Sequence, residues 1–333
     1  MSRIGIGGRL VTLALGAALV AAASAHADIP SAVATVEPSV ARIDTVISYQ
    51  HAIGSGTGIV LDPSGTVLTN FHVVQGADNV TATVGGYQFP ADLVGYDRSQ
   101  DIAVLQLRGA AGLPPAPIGN SGQLKPGEPV VALGNADGTG SPLTREAGSV
   151  VGVGRSIKAE DELTGSSEQV TGLIEIQAPV RAGDSGGPVV SGLSNQVVGM
   201  TTAASLNYKM GPGGEGFAIP INSAMAVAGQ IRSHAASPSV HIGPPTLLGV
   251  GVASADDRAQ LPGVLIHEVL PGGSAQLAGL HAGDVLVSVA GQPVRTATAL
   301  TAVLDQHYPG DTVDLLWIDS SGQQRTGKAT LTS

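Results

Sequence analysis

Short apolar runs broken by turn-forming residues dominate the chain from about Ser39 to Ile231. Gly58-Ile59-Val60-Leu61, Thr66-Val67-Leu68-Thr69, Val80 to Val84, Ile102 to Leu107, Val130 to Leu133, Ser149 to Val153 and Val197 to Met200 are rich in Val, Ile, Leu and Thr. Runs of this length at close spacing predict strands, and their succession predicts an all-β barrel or sandwich. Asp62-Pro63-Ser64-Gly65 and Pro126-Gly127 supply turns between them. Ile221 to His234, with Asn222 or Ser223 as N-cap, predicts one closing helix. Residues 235–246 then carry three prolines and no periodicity, the pattern of an extended linker. Beyond it the pattern predicts strands at Leu248 to Ala253, Gly263 to Val269 and Val285 to Val289. A short helix capped by Ser274, a helix near Thr298 to His307 and a last pair of strands complete a small α+β module.

The first 27 residues break this pattern. Arg3 and Arg9 give a positive front, Leu10 to Ala23 an apolar stretch and Ala25-His26-Ala27 a small-x-small site, the three parts of an export signal. An apolar run of about 14 residues falls short of the roughly 20 that span a bilayer. A leader cleaved before Asp28, a secreted or cell-envelope location and no stable membrane anchor are therefore expected.

The length of 333 residues suits about two domains. Lys plus Arg number 16 against 26 Asp plus Glu, a net charge of -10, and no basic run concentrates positive potential, which argues against a nucleic-acid partner. The absence of Cys excludes disulfides, Cys-ligated zinc, iron–sulfur clusters and a thiol nucleophile. None of the eight histidines falls in a zincin motif, and no G-x-x-x-x-G-K-[ST] loop occurs. Neither a metal, a cofactor nor ATP is expected.

Gly183-Asp184-Ser185-Gly186-Gly187-Pro188 is the densest chemical signal. Flanking glycines allow a tight turn with an open hydroxyl and neighbouring N–H groups aimed at a developing oxyanion. The same residues fit the G-x-S-x-G elbow of α/β-hydrolases, but that elbow runs directly into a helix, and here Val189-Val190, a turn and Val197-Val198 follow. A serine nucleophile needs a base, and between the leader and Ser185 only His51 and His72 are available. His72 is the stronger candidate because it is expected at the end of a strand, a fixed platform, whereas His51 is expected in a loop. Asp101, at the head of the apolar run Ile102 to Leu107, is placed to orient an imidazole, with Asp97 as its rival. The order His72, Asp101, Ser185 is that of the chymotrypsin class.

Thr69-Asn70-Phe71-His72-Val73-Val74, Asp101-Ile102-Ala103-Val104-Leu105 and Gly183 to Pro188, followed by a C-terminal module, resemble the HtrA (DegP-like) secreted serine proteases over almost the whole mature chain. The resemblance implies a chymotrypsin/trypsin-like all-β double barrel over 28–234, a linker over 235–246 and an α+β PDZ domain over 247–333. It implies an ATP-independent serine endopeptidase acting on unfolded or misfolded polypeptides, with Ser185 as nucleophile, His72 as general base and Asp101 as orienting carboxylate. It also implies Gly183, Asp184 and Ser185 N–H groups as oxyanion donors. Two departures stand out: Phe71 replaces a small or polar residue before the histidine, and Asp184 replaces the frequent Asn before the serine. The span from Ile43 to Gly54 leaves no room for the long regulatory insertion of some relatives. Family members are often homotrimers joined through N-terminal segments, for which Asp28 to Ser39 offers no aromatic residue.

In the family layout Pro179, Val180, Thr201, Thr202 and Ala203 wall the pocket for the side chain before the scissile bond. They include no carboxylate, so cleavage after small or medium aliphatic residues is expected. Leu247-Leu248-Gly249-Val250 together with Pro271 to Leu280 resembles the protease-linked PDZ type. There the N–H groups of Leu248, Gly249 and Val250 would receive the carboxylate of a C-terminal peptide tail, the strand behind them pairing with the tail. A contrasting reading keeps the same residues in a catalytically silent, PDZ-bearing peptide-binding or chaperone-like scaffold.

Overall fold

The computed structural model describes residues 28–47, 52–138, 140, 142–160, 167–202, 214–252 and 261–333. The expected leader, the rival base His51 and the expected pocket residue Ala203 lie outside these residues. The chain opens with helix α1 (Ile29–Val36), which packs its buried Ala32, Val33 and Val36 inward. Strands β1 (Val40–Ile47), β2 (Ala52–Val60) and β3 (Thr66–Thr69) follow, then the one-turn helix α2 (Phe71–Val74) and strands β4 (Asn79–Val84), β5 (Tyr87–Asp97) and β6 (Ile102–Leu107). These strands run in the order β5-β4-β1-β2-β3-β6, and an additional β5–β6 pairing closes them on themselves. The first half of β5 pairs with β4 and the second half with β6, with a register shift between Leu93 and Gly95 where the long strand turns the corner.

A second closed barrel is built from β7 (Pro129–Gly134), β8 (Thr144–Glu160), β9 (Ser167–Gln177), β10 (Pro188–Ser191), β11 (Val197–Thr202) and β12 (Glu215–Pro220). The strands are apolar on both faces because each face meets a different core. Val130 and Ala132 fill the second barrel, while the alternating Val131 and Leu133 face a central layer shared with Ile59, Leu68, Ile102 and Val104 of the first. Val60, Val67, Ala103 and Leu105 turn the other way, into the first barrel. Each such aliphatic side chain contributes about 1.5–3 kcal/mol on burial. α1 and α3 (Ile221–Arg232) seal the central layer from opposite ends of this unit's sequence.

α3 begins at Ile221 behind Pro220, without a side-chain cap. The expected cap Asn222 instead lies in the first turn, where its side chain accepts from Ser121 N (3.2 Å) and donates to Asn120 Oδ1 (2.8 Å). Within the proline-rich 235–246 stretch, β13 (Val240–Ile242) adds to the outer edge of β5, pairing Val240 with Asp97, His241 with Tyr96 and Ile242 with Gly95.

The C-terminal module comprises β14 (Val250–Val252), β15 (Val264–Val269), α4 (Ser274–Ala278), β16 (Val285–Val289), β17 (Gln292–Pro293), α5 (Ala297–Leu304), β18 (Thr312–Ile318) and β19 (Gln324–Thr330). Its main sheet order is β14-β15-β16-β18-β19, so β14 is an end strand. Leu248, Ile266, Leu286, Leu300, Leu315 and Trp317 are among its core residues. Ser274 does not cap α4: Gly273 stands at the N-cap, Ser274 is the first helical residue, and its buried Oγ has no hydrogen-bond partner. α5 starts one residue before the expected Thr298, because Thr296 Oγ1 accepts from Ala299 N at 3.0 Å and caps the helix there.

Candidate active site

His72 stands on α2, one turn past the end of β3, and not on the strand end itself. Its ring Nδ1 lies 2.8 Å from Asp101 Oδ2 and 3.0 Å from Oδ1, and its backbone N–H donates to Asp101 Oδ1 at 3.0 Å. A carboxylate acceptor at that distance requires the ring hydrogen on Nδ1, which leaves Nε2 as the basic nitrogen. The His72 side chain is 40% exposed and that of Asp101 only 11%, so the acid is enclosed while the base still reaches the surface.

Asp101 ends the β5–β6 turn with φ of 54°, in the left-handed region that a non-glycine residue adopts at a cost. Three contacts hold it there besides those to His72. Its N–H donates to Arg98 O at 3.1 Å, its carbonyl accepts from Asn70 Nδ2 at 2.9 Å, and its Oδ2 accepts from Thr202 Oγ1 at 3.1 Å. Asp97, the rival acid, is fully buried but turned into its own loop, where it accepts from Ser99 Oγ, Gln100 N and Gln100 Nε2.

The Ser185 turn is fastened to the same place from the second barrel. Thr57 N donates to Ser185 O at 2.8 Å, Thr57 Oγ1 donates to Gly183 O at 2.7 Å, and Thr69 Oγ1 donates to Thr57 O at 2.7 Å. Thr57 thereby links the serine turn to the strand that leads into His72. Glycine is required at three points of this turn. A Cβ on Gly183 (φ 93°) would stand 2.2 Å from Asn135 O, one on Gly186 (φ 85°) 2.1 Å from Thr57 O, and one on Gly187 2.1 Å from Leu133 O. Ser185 itself is 4% exposed.

Of the three expected oxyanion donors, Asp184 drops out, because its N–H closes the local turn on Arg181 O at 3.0 Å. Its side chain is buried against the second barrel, accepting from Thr144 Oγ1 at 2.6 Å and from Arg181 N at 2.9 Å. Burial raises the Asp184 carboxyl above the usual carboxylate range, opposed by these two bonds and by the Arg181 charge and reinforced by Asp137. Ala182 O accepts from Asp137 N at 2.8 Å, which fixes the direction of that carbonyl. Since carbonyl and N–H oppose each other in a trans peptide, the Gly183 N–H points the other way.

The expected pocket walls divide. Val180 packs into the second-barrel core and Pro179 is exposed. Thr202 is not a pocket wall: strand alternation turns it away from Thr201, and its hydroxyl belongs to Asp101. Thr57 and Thr202 are the site residues that sequence reasoning missed or misassigned. Thr57 lies in a glycine-rich stretch that folds as part of β2 and Thr202 in a β-rich run, and neither pattern announces a partner in the other barrel.

In the C-terminal module, Leu247 O accepts from Thr332 N (3.2 Å), Leu248 O from Ala275 N (2.9 Å) and Gly249 O from Leu270 N (2.9 Å). Each carbonyl is tied to the module, so the following N–H groups of Leu248, Gly249 and Val250 point away from those ties. They lie at the start of the end strand β14.

Comparison with known proteins agrees with this architecture. The family model for the trypsin-like peptidase domain matches residues 56–200, and that for the PDZ domain matches residues 238–317. The serine protease PepD of Mycobacterium tuberculosis is 33% identical over 336 residues, covering 93% of this chain and 69% of PepD. The periplasmic pH-dependent serine endoprotease DegQ of Escherichia coli is 32% identical over 282 residues, covering 83% of this chain and 57% of DegQ. Among solved structures, the HtrA-type protease AlgW with tripeptide aligns with a TM-score of 0.53 at 25% identity, covering 92% of this chain and 97% of that one. The two barrels and their site define a trypsin-like serine endopeptidase. With its PDZ domain, the chain belongs to the HtrA-type serine proteases.

Proposed function

We propose that the chain hydrolyses peptide bonds through Ser185, His72 and Asp101. The observation that carries this reading is the His72 Nδ1–Asp101 pair at 2.8 Å, which sets the tautomer in which Nε2 acts as a base. In the proposed reaction Nε2 takes the Ser185 proton as Oγ attacks the scissile carbonyl carbon, and Asp101 stabilises the imidazolium that forms. The N–H groups of Gly183 and Ser185 receive the oxyanion. His72 then gives the proton to the leaving amine as the acyl-enzyme forms, and a water deprotonated by Nε2 attacks that ester, releasing the acid product and returning the proton to Ser185 Oγ. Activity falls as pH drops and imidazolium replaces imidazole, since the cation has no lone pair to accept a proton.

The substrate class we assign is the unfolded or misfolded polypeptide, cut without ATP after small or medium aliphatic residues. The Leu248 to Val250 turn and the β14 edge would capture C-terminal tails, in keeping with the peptide complex of the structural relative AlgW. The periplasmic naming of DegQ and the composition of residues 1–27 support an exported location. A fluorophosphonate probe tests the chemistry. It labels the wild-type protein and leaves Ser185→Ala unlabelled, and a wild type that resists labelling would leave only the scaffold reading.

A further inference from the structure

Phe71, directly before His72 and 1% exposed, lies against Tyr96 with ring centroids 4.2 Å apart, and the Arg98 guanidinium sits 4.6 Å from the Phe71 centroid. Tyr96 is next to last in β5, and Arg98 begins the turn that ends at Asp101. The residues under His72 and the turn under Asp101 are thus the same short stretch of chain. Both Tyr96 and Arg98 are held from outside by one carboxylate of the C-terminal module. Asp305, immediately after α5, accepts the Tyr96 hydroxyl at 2.6 Å and the Arg98 Nε and Nη2 at 2.7 and 3.1 Å.

The surroundings make this contact more than a surface ion pair. The Arg98 and Asp305 side chains are 16% and 19% exposed, and an enclosed, forked Arg–carboxylate contact is geometrically specific. Burial and the Asp305 charge hold the Tyr96 phenol well above its ordinary range, so its hydroxyl remains a donor. His241 of β13 fills the remaining side. Its ring stacks on Tyr96 (5.0 Å) and Tyr308 (4.6 Å), and its Nδ1 lies 2.9 Å from Asp305 O. Neither element of the catalytic pair is self-supporting. A single helical turn has little stability of its own, and Asp101 sits in a left-handed backbone conformation that its surroundings must enforce.

We infer that Asp305 is a positioning residue for peptide hydrolysis: through Tyr96 and Arg98 it fixes the stack beneath His72 and the turn that presents Asp101, so that the PDZ domain completes the protease site. The inference rests on the triad assignment above. Asp305 touches no substrate, and its effect reaches the reaction only through the alignment of the imidazole.

The test uses the full mature chain and a short fluorogenic peptide with an amidated C-terminus, which offers the PDZ domain no carboxylate. Active sites are counted by fluorophosphonate labelling carried to its end point, so that a slowly reacting site is still counted and a loss of folded enzyme is not read as a loss of catalysis. Asp305→Ala lowers kcat per site by about tenfold, since small misplacements of catalytic groups carry costs of this order and above. KM stays within about twofold, as expected when substrate binding is untouched. Arg98→Ala gives a similar loss and the double variant falls little further, the non-additivity of two residues acting through one contact. Asp305→Asn, which keeps an acceptor for Tyr96, gives an intermediate value and carries the test if the alanine variant does not fold. Arg325→Ala, which breaks the Arg325–Asp319 pair (2.9 Å) elsewhere in the same domain, leaves kcat per site unchanged. Equal or faster turnover per site in both Asp305 variants overturns the inference while leaving the triad standing. A wild type that neither labels nor cleaves removes the triad assignment first.

Discussion

Thr202 donates its hydroxyl to Asp101 Oδ2 at 3.1 Å from a strand of the opposite barrel, so the orienting acid is held by both halves of the protease domain. Thr202→Val preserves shape and deletes that donor. A hydrogen bond to a charged group is worth about 1.5–3 kcal/mol, and kcat is expected to fall about tenfold with KM little changed, Thr202→Ser restoring most of it. Steady-state kinetics on the three proteins decides this, and an unaltered kcat in Thr202→Val would show the contact to be idle. Asp184 makes a second prediction, in stability. Burial places its folded-state pKa above the ordinary 3.8, so the protonated form is the one that folding favours. That contribution is present below the ordinary carboxylate range and is lost as pH rises through the raised value. Asp184→Asn does not titrate, so its stability relative to wild type should increase between acid and neutral pH. Urea unfolding at both ends of that range tests the sign, and a pH-independent difference refutes it.

At the level of elements, α1 shows how a marginal segment is secured. Eight residues are too few for an isolated helix, but Asp28 Oδ1 accepts from Ser31 N at 3.0 Å and Asp28 N donates to Gly192 O at 2.9 Å. Asp28→Ala removes the side-chain cap and should cost about 1 kcal/mol, seen as a lower denaturation midpoint with an unchanged m-value. What was legible in the sequence follows from the same contrast between local and distant causes. The strands at Thr66 to Thr69 and Ile102 to Leu107 are written in their own residues, and so are the turns around Ser185. β13 is three residues long and flanked by prolines, too short to show a period, and it exists because β5 offers an open edge. Asn222 and Ser274 have the composition of caps, but the chain entering each helix puts Pro220 and Gly273 at the capping position instead. Thr57 and Asp305 take their importance from partners 126 and 207 residues away, which no local pattern encodes.

Across the whole molecule, three motifs marked His72, Asp101 and Ser185 as candidates, while the contacts that tie their segments to one another are mostly long-range. The central apolar layer joins the barrels, Thr57 ties the serine turn to the histidine strand, and Asp305 braces the far side from the C-terminal domain. The pairing of β13 with β5 bears on the junction between the domains as well. Because residues 240–242 are zipped to the first barrel, the stretch expected as a linker is anchored partway along, and any hinge between the barrels and the C-terminal domain is confined to the few residues after Ile242.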